Sequence, residues 1–391
     1  MSSARGRAAG RMARIPPYLF AEIDDKVAAK RAAGVDVISL DIGDPDMPTP
    51  APIVDAAVAA VHDPANHRYA SYYGLRDLRA AMAEWYRRRF SVELDPDTEV
   101  LPTLGSKDGI AHLPIALVDP GDVVLCPDPG YPVYVTGAIM AEAEPYRVPL
   151  LEENGFLPDL AAIPETVLQR AKLLWINYPN NPTAAVAPRG FLEEAVAFCR
   201  RHDLVLASDA PYTEVSFGGY RATSLLEIPR AREIGLEFHS LSKTYNMTGW
   251  RVGMAVGNAE LVALLGQLKT NLDSGIFQVV QRAAIAALTE PSEQLERRNA
   301  TIRRRQKLLR DALAGAGIDV DLPAATFYLW GHVPDGYDSI SFAAAVLDQV
   351  GVNVTPGVGF GPSGEGYFRV SVTAPDERVE QACERLRELQ L

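Results

Sequence analysis

The sequence predicts an α/β protein with a large domain built on a mostly parallel sheet, followed by a smaller α+β domain. Short and nearly continuous apolar runs alternate with helix-like stretches, which is typical of strands buried on both faces of a parallel sheet. After about residue 280 the pattern changes to long charged helices. With 391 residues, 48% of them apolar, the chain can bury a large core divided between two domains.

The chain begins with "MSSARGRAAGRMARI", which is rich in arginine and contains no acidic residue. Such a composition superficially resembles an organellar presequence. The segment has two glycines and little apolar periodicity, and this favours a flexible basic tail instead.

Three apolar runs in the first half predict strands, and each ends in a turn. The runs are "GDVVLCPDPGYP", "AKLLWINYPNNP" and "HDLVLASDAPY". Between the last two, "PRGFLEEAVAFCRRHD" opens with proline and repeats apolar residues at helical spacing, which predicts a strand, helix, strand unit. The turns carry Tyr131, Asn181 and Asp209. Because ligands of open α/β sheets bind outside the carboxyl ends of strands, we expect these three residues to meet at one rim.

The second half predicts helices first and a small sheet afterwards. The stretch "VVQRAAIAALTEPSEQLERRNATIRRRQKLLRDALAGAG" is helical in pattern, with Pro291 interrupting it and Gly315 and Gly317 stopping it. The segments that follow predict strand, helix, strand, strand and helix: "TFYLWGHVP", "ISFAAAVLDQVG", "VNVTPG", "GYFRVSVT" and "DERVEQACERLREL".

Charge and composition exclude several kinds of partner. The net charge of −12 disfavours nucleic acid and anionic membrane surfaces, so any phosphate must be bound locally. No apolar run approaches the ~20 residues of a membrane span. Cys126, Cys199 and Cys383 are odd in number and far apart, which indicates reduced thiols in a cytoplasmic protein. The six histidines form no ligand pattern, so no metal is expected.

Several common catalytic motifs are missing or misplaced. A dinucleotide site needs a glycine-rich turn between a strand and a helix, but "TPGVGFGPSGEG" is interrupted by Pro362 and precedes a strand-like run. The sequence has neither the serine-hydrolase elbow nor a phosphate-binding P-loop. What remains is a lysine, an aspartate, an asparagine, several tyrosines and two late arginines.

These residue types suit pyridoxal phosphate. Lys243, in "HSLSKTYNMTGW", can bond covalently to the cofactor aldehyde, although a lone lysine there could also be a solvated loop residue. Asp209 follows the run "LVLAS", where a buried carboxylate requires a cationic companion such as a protonated pyridine nitrogen. A turn or helix cap is the alternative for Asp209.

Other residues complete a candidate pocket. Asn181 and Tyr212 could hydrogen-bond the phenolic oxygen of the cofactor, and Tyr131 could stack on its ring. The turn at Gly105 opens an apolar helix whose N-terminal N–H groups favour an anion, although such a turn is also an ordinary helix start. The residues expected to bind the phosphate are Gly105, Ser106, Lys107, Ser240, Ser242 and Arg251.

Five motifs together resemble the fold-type-I, class I and II aminotransferases. Along the chain they are "PDPGYPVY", "NYPNNPT", "DAPY", "SLSKTYNMTGWRVG" and "FRVSV", which is the order of the corresponding motifs in that family. The resemblance covers most of the chain. The resemblance implies the type I fold of pyridoxal-phosphate-dependent transferases. It also implies transfer of an amino group between an L-amino acid and a 2-oxo acid, for which 2-oxoglutarate is expected.

The resemblance assigns a role to individual positions. It implies that Lys243 binds the cofactor, that Arg251 binds its phosphate, and that Asp209 pairs with the pyridine nitrogen. Tyr212 and Asn181 address the phenolic oxygen. It further places Arg369 on the substrate α-carboxylate, Gly43 along the substrate, and Tyr69 on the phosphate of a neighbouring subunit. The last assignment implies a homodimer with shared active sites.

The resemblance also implies a division of the chain. We expect a flexible basic tail at 1–14, an N-terminal arm joining the small domain at 15–44, a large cofactor-binding domain at 45–284 and a small C-terminal domain at 285–391. A regulator with an attached DNA-binding domain is disfavoured because few residues precede the match.

Among subfamilies, two segments resemble most the LL-diaminopimelate aminotransferases and their unassigned bacterial relatives: "PPYLFAEIDDKVAAKRAAGVDVISLDIGDPDMPTP" and "GSKDGIAHLPIALVDPGD". Two positions depart from them: Tyr73 stands where a glutamate is common, and Ala184 where a glycine is usual. No arginine matches the distal-carboxylate position of aspartate aminotransferases. The expected chemistry is ping-pong transamination with Lys243 moving the proton, and a β-lyase, oxidase or cyclase on the same scaffold is the alternative.

Overall fold

The structure, a computed structural model, describes residues 8–15, 19–289 and 293–391. Its strands are β1 (Ile38–Ser39), β2 (Val100–Thr103), β3 (Val123–Asp128), β4 (Glu144–Pro149), β5 (Ala171–Asn177), β6 (Val205–Asp209), β7 (Gly235–Ser240), β8 (Gly253–Gly257), β9 (Tyr328–His332), β10 (Val352–Asn353), β11 (Thr355–Pro356) and β12 (Tyr367–Ser371). Its α-helices are α1 (Gly10–Arg14), α2 (Leu19–Ala32), α3 (Ala51–Val61), α4 (Arg76–Phe90), α5 (Ser106–Leu117), α6 (Val133–Met140), α7 (Glu165–Leu168), α8 (Arg189–Arg201), α9 (Leu241–Thr244), α10 (Ala259–Leu272), α11 (Gln278–Thr289), α12 (Glu293–Gly315), α13 (Ser339–Val350) and α14 (Asp376–Leu386).

The central element is a seven-stranded sheet of order β2-β8-β7-β6-β5-β3-β4. Neighbouring strands are parallel from β7 to β4, whereas β8 runs antiparallel to both β7 and β2. Six strands therefore run in one direction, as the buried apolar runs predict. The carboxyl ends of β5, β6 and β7 lie side by side at one edge of the sheet.

Helices cover both faces of this sheet. Along β3, Val123 and Leu125 pack in a core with α8, while Val124 and Cys126 pack on the opposite face with α5, α6 and α10. Successive side chains of a strand point to opposite faces, so a continuous apolar run requires helices on both sides. All three cysteines are buried and free, in agreement with the prediction from their spacing.

A second core lies under a three-stranded antiparallel sheet of order β11-β12-β9. The helices α12, α13 and α14 contribute Leu309, Phe342 and Val379 to this core. Ile38 and Leu40 join it from the N-terminal side, because β1 pairs in parallel with β10. The N-terminal segment is thus packed against the C-terminal elements.

The predicted element order after residue 280 is confirmed with one refinement. The segment "VNVTPG" forms two short strands in two different sheets, β10 with β1 and β11 with β12. The helix α12 ends at Gly315, as predicted, whereas Pro291 lies outside the described residues.

The N-terminal residues of the described chain form α1, whose Arg11 pairs with Glu142 at 2.6 Å. The division into tail, arm, large domain and small domain stays a prediction. Within the described part of the chain, none of the helices combines the length and apolar character needed to cross a membrane.

Candidate active site

One cavity of about 570 Å³ opens at the edge of the sheet where β5, β6 and β7 end. Most of the residues singled out from the sequence line it: Gly43, Ser106, Lys107, Tyr131, Asn181, Asp209, Tyr212, Ser240, Ser242, Lys243, Arg251 and Arg369. The strand ends bring Asn181, Asp209 and Ser240 together because β5, β6 and β7 are adjacent and parallel. Tyr131, Asn181 and Asp209 therefore share one rim, as expected.

Lys243 lies in the short helix α9, directly after β7. Its Nζ donates a hydrogen bond to the Gly43 carbonyl oxygen at 2.5 Å. Burial lowers the pKa of Lys243 to about 8, an effect that nearby Asp44 opposes and that Arg369 and Arg251 reinforce. A larger share of the amine is therefore neutral near pH 7 than in an exposed lysine.

Asp209 ends β6 and is 4% exposed. Its Oδ2 accepts a hydrogen bond from the Tyr134 hydroxyl at 2.7 Å, and its Oδ1 is buried with no partner among the described residues. Burial raises the pKa of Asp209 to about 7, against the opposing effects of Tyr134 and His239. The carboxyl group therefore has one oxygen available for a ligand that donates a hydrogen bond.

Arg369 lies on β12 and reaches the cavity from the second core. Its Nη1 donates to Asn181 Oδ1 at 2.6 Å, and its Nη2 donates to the Asp41 carbonyl oxygen. The guanidinium carbon lies 4.2 Å from the ring centre of Tyr328 and 4.6 Å from that of Phe360. Nε is buried with no partner in the described part of the chain, so this cation keeps at least one donor unused.

Gly43 passes close to the tyrosines on the other wall of the cavity. A Cβ at this position would overlap the Tyr328 hydroxyl, so the chain can approach this closely only with glycine. The Tyr328 hydroxyl in turn shares a hydrogen bond of 3.1 Å with the Tyr212 hydroxyl. Burial raises the pKa of Tyr212, which keeps its hydroxyl protonated as a donor.

The N-terminal end of α5 and the turn after α9 form a cationic recess. Gly105 adopts a φ of +76°, which favours glycine, and a Cβ there would overlap the Arg251 guanidinium. Arg251 Nη1 is held by the Thr248 carbonyl oxygen at 2.8 Å. The Ser240 hydroxyl caps α9 by accepting from the Ser242 backbone N–H at 3.2 Å. Backbone N–H groups and a guanidinium in one recess suit a phosphate.

Two of the singled-out residues do not line this cavity. Gly105 lies just outside it, against Arg251, and Tyr69 is 85% exposed on the surface. Tyr131 does line the cavity, and the Lys107 ammonium lies 5.7 Å from its ring centre.

Sequence reasoning missed several residues that the fold brings into the cavity: Asp24, Ile42, Asp44, Asn177, Pro211, Thr248, Gly249, Tyr328 and Phe360. Phe360 belongs to the glycine-rich stretch that served only to exclude a dinucleotide site. Tyr328 follows Phe327 in a run of aromatic residues and carries no local signal of its own. Within the described ranges, no group of histidine, cysteine, aspartate or glutamate side chains could hold a metal ion.

Comparison with known proteins shows a family that matches this chain along most of its length. The family model described as aminotransferase class I and II matches residues 35–386. An LL-diaminopimelate aminotransferase of Aquifex aeolicus is 54% identical over 381 residues, which cover 97% of this chain and 98% of that protein. One from Desulforudis audaxviator is 56% identical over 379 residues, with 97% of each chain covered.

A solved structure is also similar to this chain along nearly its whole length. The substrate-bound structure of BacF from Bacillus subtilis superposes with a TM-score of 0.95 at 35% identity and covers 98% of each chain. The matched relatives are aminotransferases, so they favour transamination over the β-lyase, oxidase and cyclase alternatives. This chain therefore belongs to the class I and II aminotransferases and is a pyridoxal-phosphate-dependent transaminase.

Proposed function

We propose that this aminotransferase uses LL-diaminopimelate as its amino donor and 2-oxoglutarate as its acceptor, in a ping-pong reaction. The observation that carries the proposal is the similarity, along nearly the whole chain, to two relatives named for that donor. The donor bears two ammonium groups, and Asp24 and Asp44 line the cavity beside the residues already described. Their negative charge suits a substrate with a second cationic group.

The residues present fit pyridoxal phosphate. When bound, the cofactor supplies an electron-withdrawing ring that acidifies the proton on the substrate α-carbon. The buried, unpartnered Oδ1 of Asp209 suits a protonated ring nitrogen, and the recess beside Gly105 suits the phosphate. We propose that Ser106, Lys107, Ser240, Ser242 and Arg251 bind that phosphate, that Tyr131 covers the ring, and that Tyr212 and Asn181 donate to its phenolic oxygen.

Lys243 has a second role in this proposal, as the group that moves the proton. Its lowered pKa of about 8 makes the neutral amine accessible near neutral pH, and a neutral amine can accept a proton from carbon. The Gly43 carbonyl oxygen orients Nζ toward the segment along which the substrate is proposed to lie. Arg369 would bind the α-carboxylate and so fix the α-carbon within reach of that amine.

The donor can be tested by one half of the reaction. Mixing the cofactor-loaded protein with LL-diaminopimelate, without any oxo acid, should shift the cofactor absorbance to that of its amino form within one turnover. Adding 2-oxoglutarate should then restore the original spectrum. L-Aspartate serves as the matched control and should act far more slowly. An unchanged spectrum at saturating LL-diaminopimelate would eliminate this donor while leaving the transaminase assignment intact.

We also propose a cytoplasmic homodimer in which Tyr69 reaches the phosphate of the neighbouring subunit. Tyr69 is 85% exposed in the single chain, and Tyr72, Tyr73 and Phe277 are also exposed. Phe277 precedes Gln278, whose side chain donates to the Tyr69 carbonyl oxygen at 3.5 Å. A surface with several exposed aromatic rings is typical of a protein interface. Burying Tyr69 against a second copy would account for its place outside the cavity of its own chain.

Mixed dimers provide a test of the shared site. A heterodimer of a Lys243→Ala subunit and a Tyr69→Phe subunit contains one site with both residues intact and one site with neither. We expect the intact site to bind pyridoxal phosphate as tightly as the wild type, about tenfold more tightly than the Tyr69→Phe homodimer, since one hydrogen bond to a charged group is restored. Titration of purified heterodimer with cofactor measures this, and weak binding at every site would refute sharing of Tyr69.

A further inference from the structure

Tyr134 is a buried side chain that has no place in the roles proposed so far. It lies in the first turn of α6, is 1% exposed and donates its hydroxyl hydrogen to Asp209 Oδ2 at 2.7 Å. Its ring stacks on Trp175 of β5, with ring centres 5.2 Å apart and planes inclined by 22°. It also meets Tyr131 edge to face at 6.0 Å. The ring that carries the hydroxyl is therefore packed against aromatic rings on two sides.

We propose that Tyr134 is a positioning residue for the cofactor: it keeps Asp209 ionised and turned so that Oδ1 remains free for the ring nitrogen. This inference rests on the role proposed above for Asp209. Tyr134 itself does not line the cavity, and it would act through the carboxylate alone.

The hydrogen bond has a definite direction because Tyr134 cannot give up its proton. Burial, together with the neighbouring carboxylate, raises the pKa of the Tyr134 hydroxyl well above its usual range. The hydroxyl is therefore a permanent donor to Asp209 Oδ2. A donor favours the ionised carboxylate, whereas burial favours the protonated acid. Removing this donor should therefore raise the pKa of Asp209, because the effect of burial is then opposed less.

Two other titratable side chains, His239 and Tyr212, lie close enough to interact with the Asp209 carboxylate. His239 on β7 favours the ionised carboxylate, and it is itself bound to the buried Glu237 at 3.1 Å. Tyr212, on the turn after β6, is influenced by the Asp209 charge, and burial keeps it protonated. Asn177 binds the Asp209 backbone oxygen and not its carboxylate. Tyr134 is therefore the one side chain among the described residues with a hydrogen bond to this carboxylate.

The hydrogen bond from Tyr134 also fixes the orientation of the Asp209 carboxylate. A carboxylate can rotate about its terminal bond, and the two oxygens are equivalent unless one is bound. The Tyr134 hydroxyl binds Oδ2, and the stack of the Tyr134 ring on Trp175 fixes the position of that hydroxyl. Oδ1 is left as the carboxylate oxygen without a partner among the described residues.

The test is the affinity of the apoprotein for pyridoxal phosphate as a function of pH, measured for Tyr134→Phe. Without the donor, Asp209 keeps its proton to a higher pH, so the loss of affinity on acidification should begin about one pH unit higher. Near neutral pH this corresponds to weaker binding, with a dissociation constant about tenfold larger than that of the wild type. The difference should shrink at high pH, where Asp209 is ionised in both proteins.

A second probe separates this role from a structural one. The 1-deaza analogue of pyridoxal phosphate lacks the ring nitrogen, so Tyr134→Phe should leave its affinity within about twofold of the wild type. A variant that merely loosened the pocket would weaken both ligands equally, and that outcome would overturn the inference.

The matched control is Tyr178→Phe. Tyr178 is also a buried tyrosine whose hydroxyl donates one hydrogen bond, to the Phe156 carbonyl oxygen at 2.7 Å, and it does not line the cavity. It should lower the melting temperature like Tyr134→Phe yet leave the pH profile of cofactor binding unmoved. If Tyr134→Phe gives the same unmoved profile, Tyr134 is only structural, whereas the role of Asp209 survives. If Asp209→Asn binds the cofactor like the wild type at every pH, the proposed role of Asp209 itself fails.

A nearly isosteric change guards against failure to fold. Incorporation of 3-fluorotyrosine in place of Tyr134 keeps the shape and makes the hydroxyl a stronger donor. The affinity profile should then move to lower pH, opposite to Tyr134→Phe, and movement in the same direction would contradict the inference.

Discussion

Lys243→Ala is expected to reduce turnover by about 10⁴-fold or more, because it removes both the amine that binds the cofactor covalently and the group that moves the proton. The fold should survive. Among the described residues the side chain makes one hydrogen bond, to the Gly43 carbonyl oxygen, and its burial disfavours its charge. The melting temperature of the apoprotein should therefore stay the same or rise. Activity is measured with a saturating amino donor and 2-oxoglutarate.

Covalent trapping provides the independent readout. Borohydride treatment of the cofactor-loaded wild type should fix the cofactor on the peptide that contains Lys243, and the Lys243→Ala protein should give no such adduct. Lys172→Ala is the control, since Lys172 lies on β5 with an exposed side chain. Wild-type turnover in Lys243→Ala, or an adduct on another peptide, would show that the lysine is misassigned.

Arg369→Lys is expected to lower kcat/KM for both the amino donor and the oxo acid by about 10²- to 10³-fold. Lysine keeps the charge but loses the planar fork that binds a carboxylate through two donors. It also loses the cation–π contacts with Tyr328 and Phe360, whose ring centres lie 4.2 and 4.6 Å from the guanidinium carbon. Most of the loss should appear in KM, because the carboxylate is bound before and during the reaction.

A substrate without a carboxylate sharpens this test. A simple alkyl amine should react slowly but equally with the wild type and with Arg369→Lys, because it has no group for the arginine to bind. Arg378→Lys is the matched control on the surface of α14, where Arg378 pairs with Asp36 at 2.7 Å. An equal loss with the alkyl amine would mean that Arg369 supports the cavity in another way.

The buried strands were predictable because the apolar pattern of each short segment indicates which of its faces are buried. The runs that became β3, β5 and β6 are apolar on both faces, and this pattern appears only when helices cover both sides of a sheet. Residues at the ends of these strands were predictable for the same reason. Asp209 ends β6 and Asn181 lies in the turn after β5, and parallel strands place their carboxyl ends at one edge.

The second half was predicted less completely. "VNVTPG" carries one strand-like pattern, yet β10 pairs with the N-terminal β1 while β11 pairs with β12. Nothing in six residues indicates which distant segment each half will meet. Phe360 lies in a glycine-rich turn whose pattern is that of a loop, and its contact with Arg369 depends on how that loop folds back over β12.

The sequence by itself determined the fold class, the lysine and the charged residues of this aminotransferase, because apolar periodicity and residue chemistry are properties of short segments. Only the tertiary structure decided what holds those residues. Tyr134 and Asp209 are 75 residues apart along the chain and 2.7 Å apart in space. A hydrogen bond of that kind depends on distance and burial, which are set when helices from remote segments pack on the sheet, and no local pattern records them.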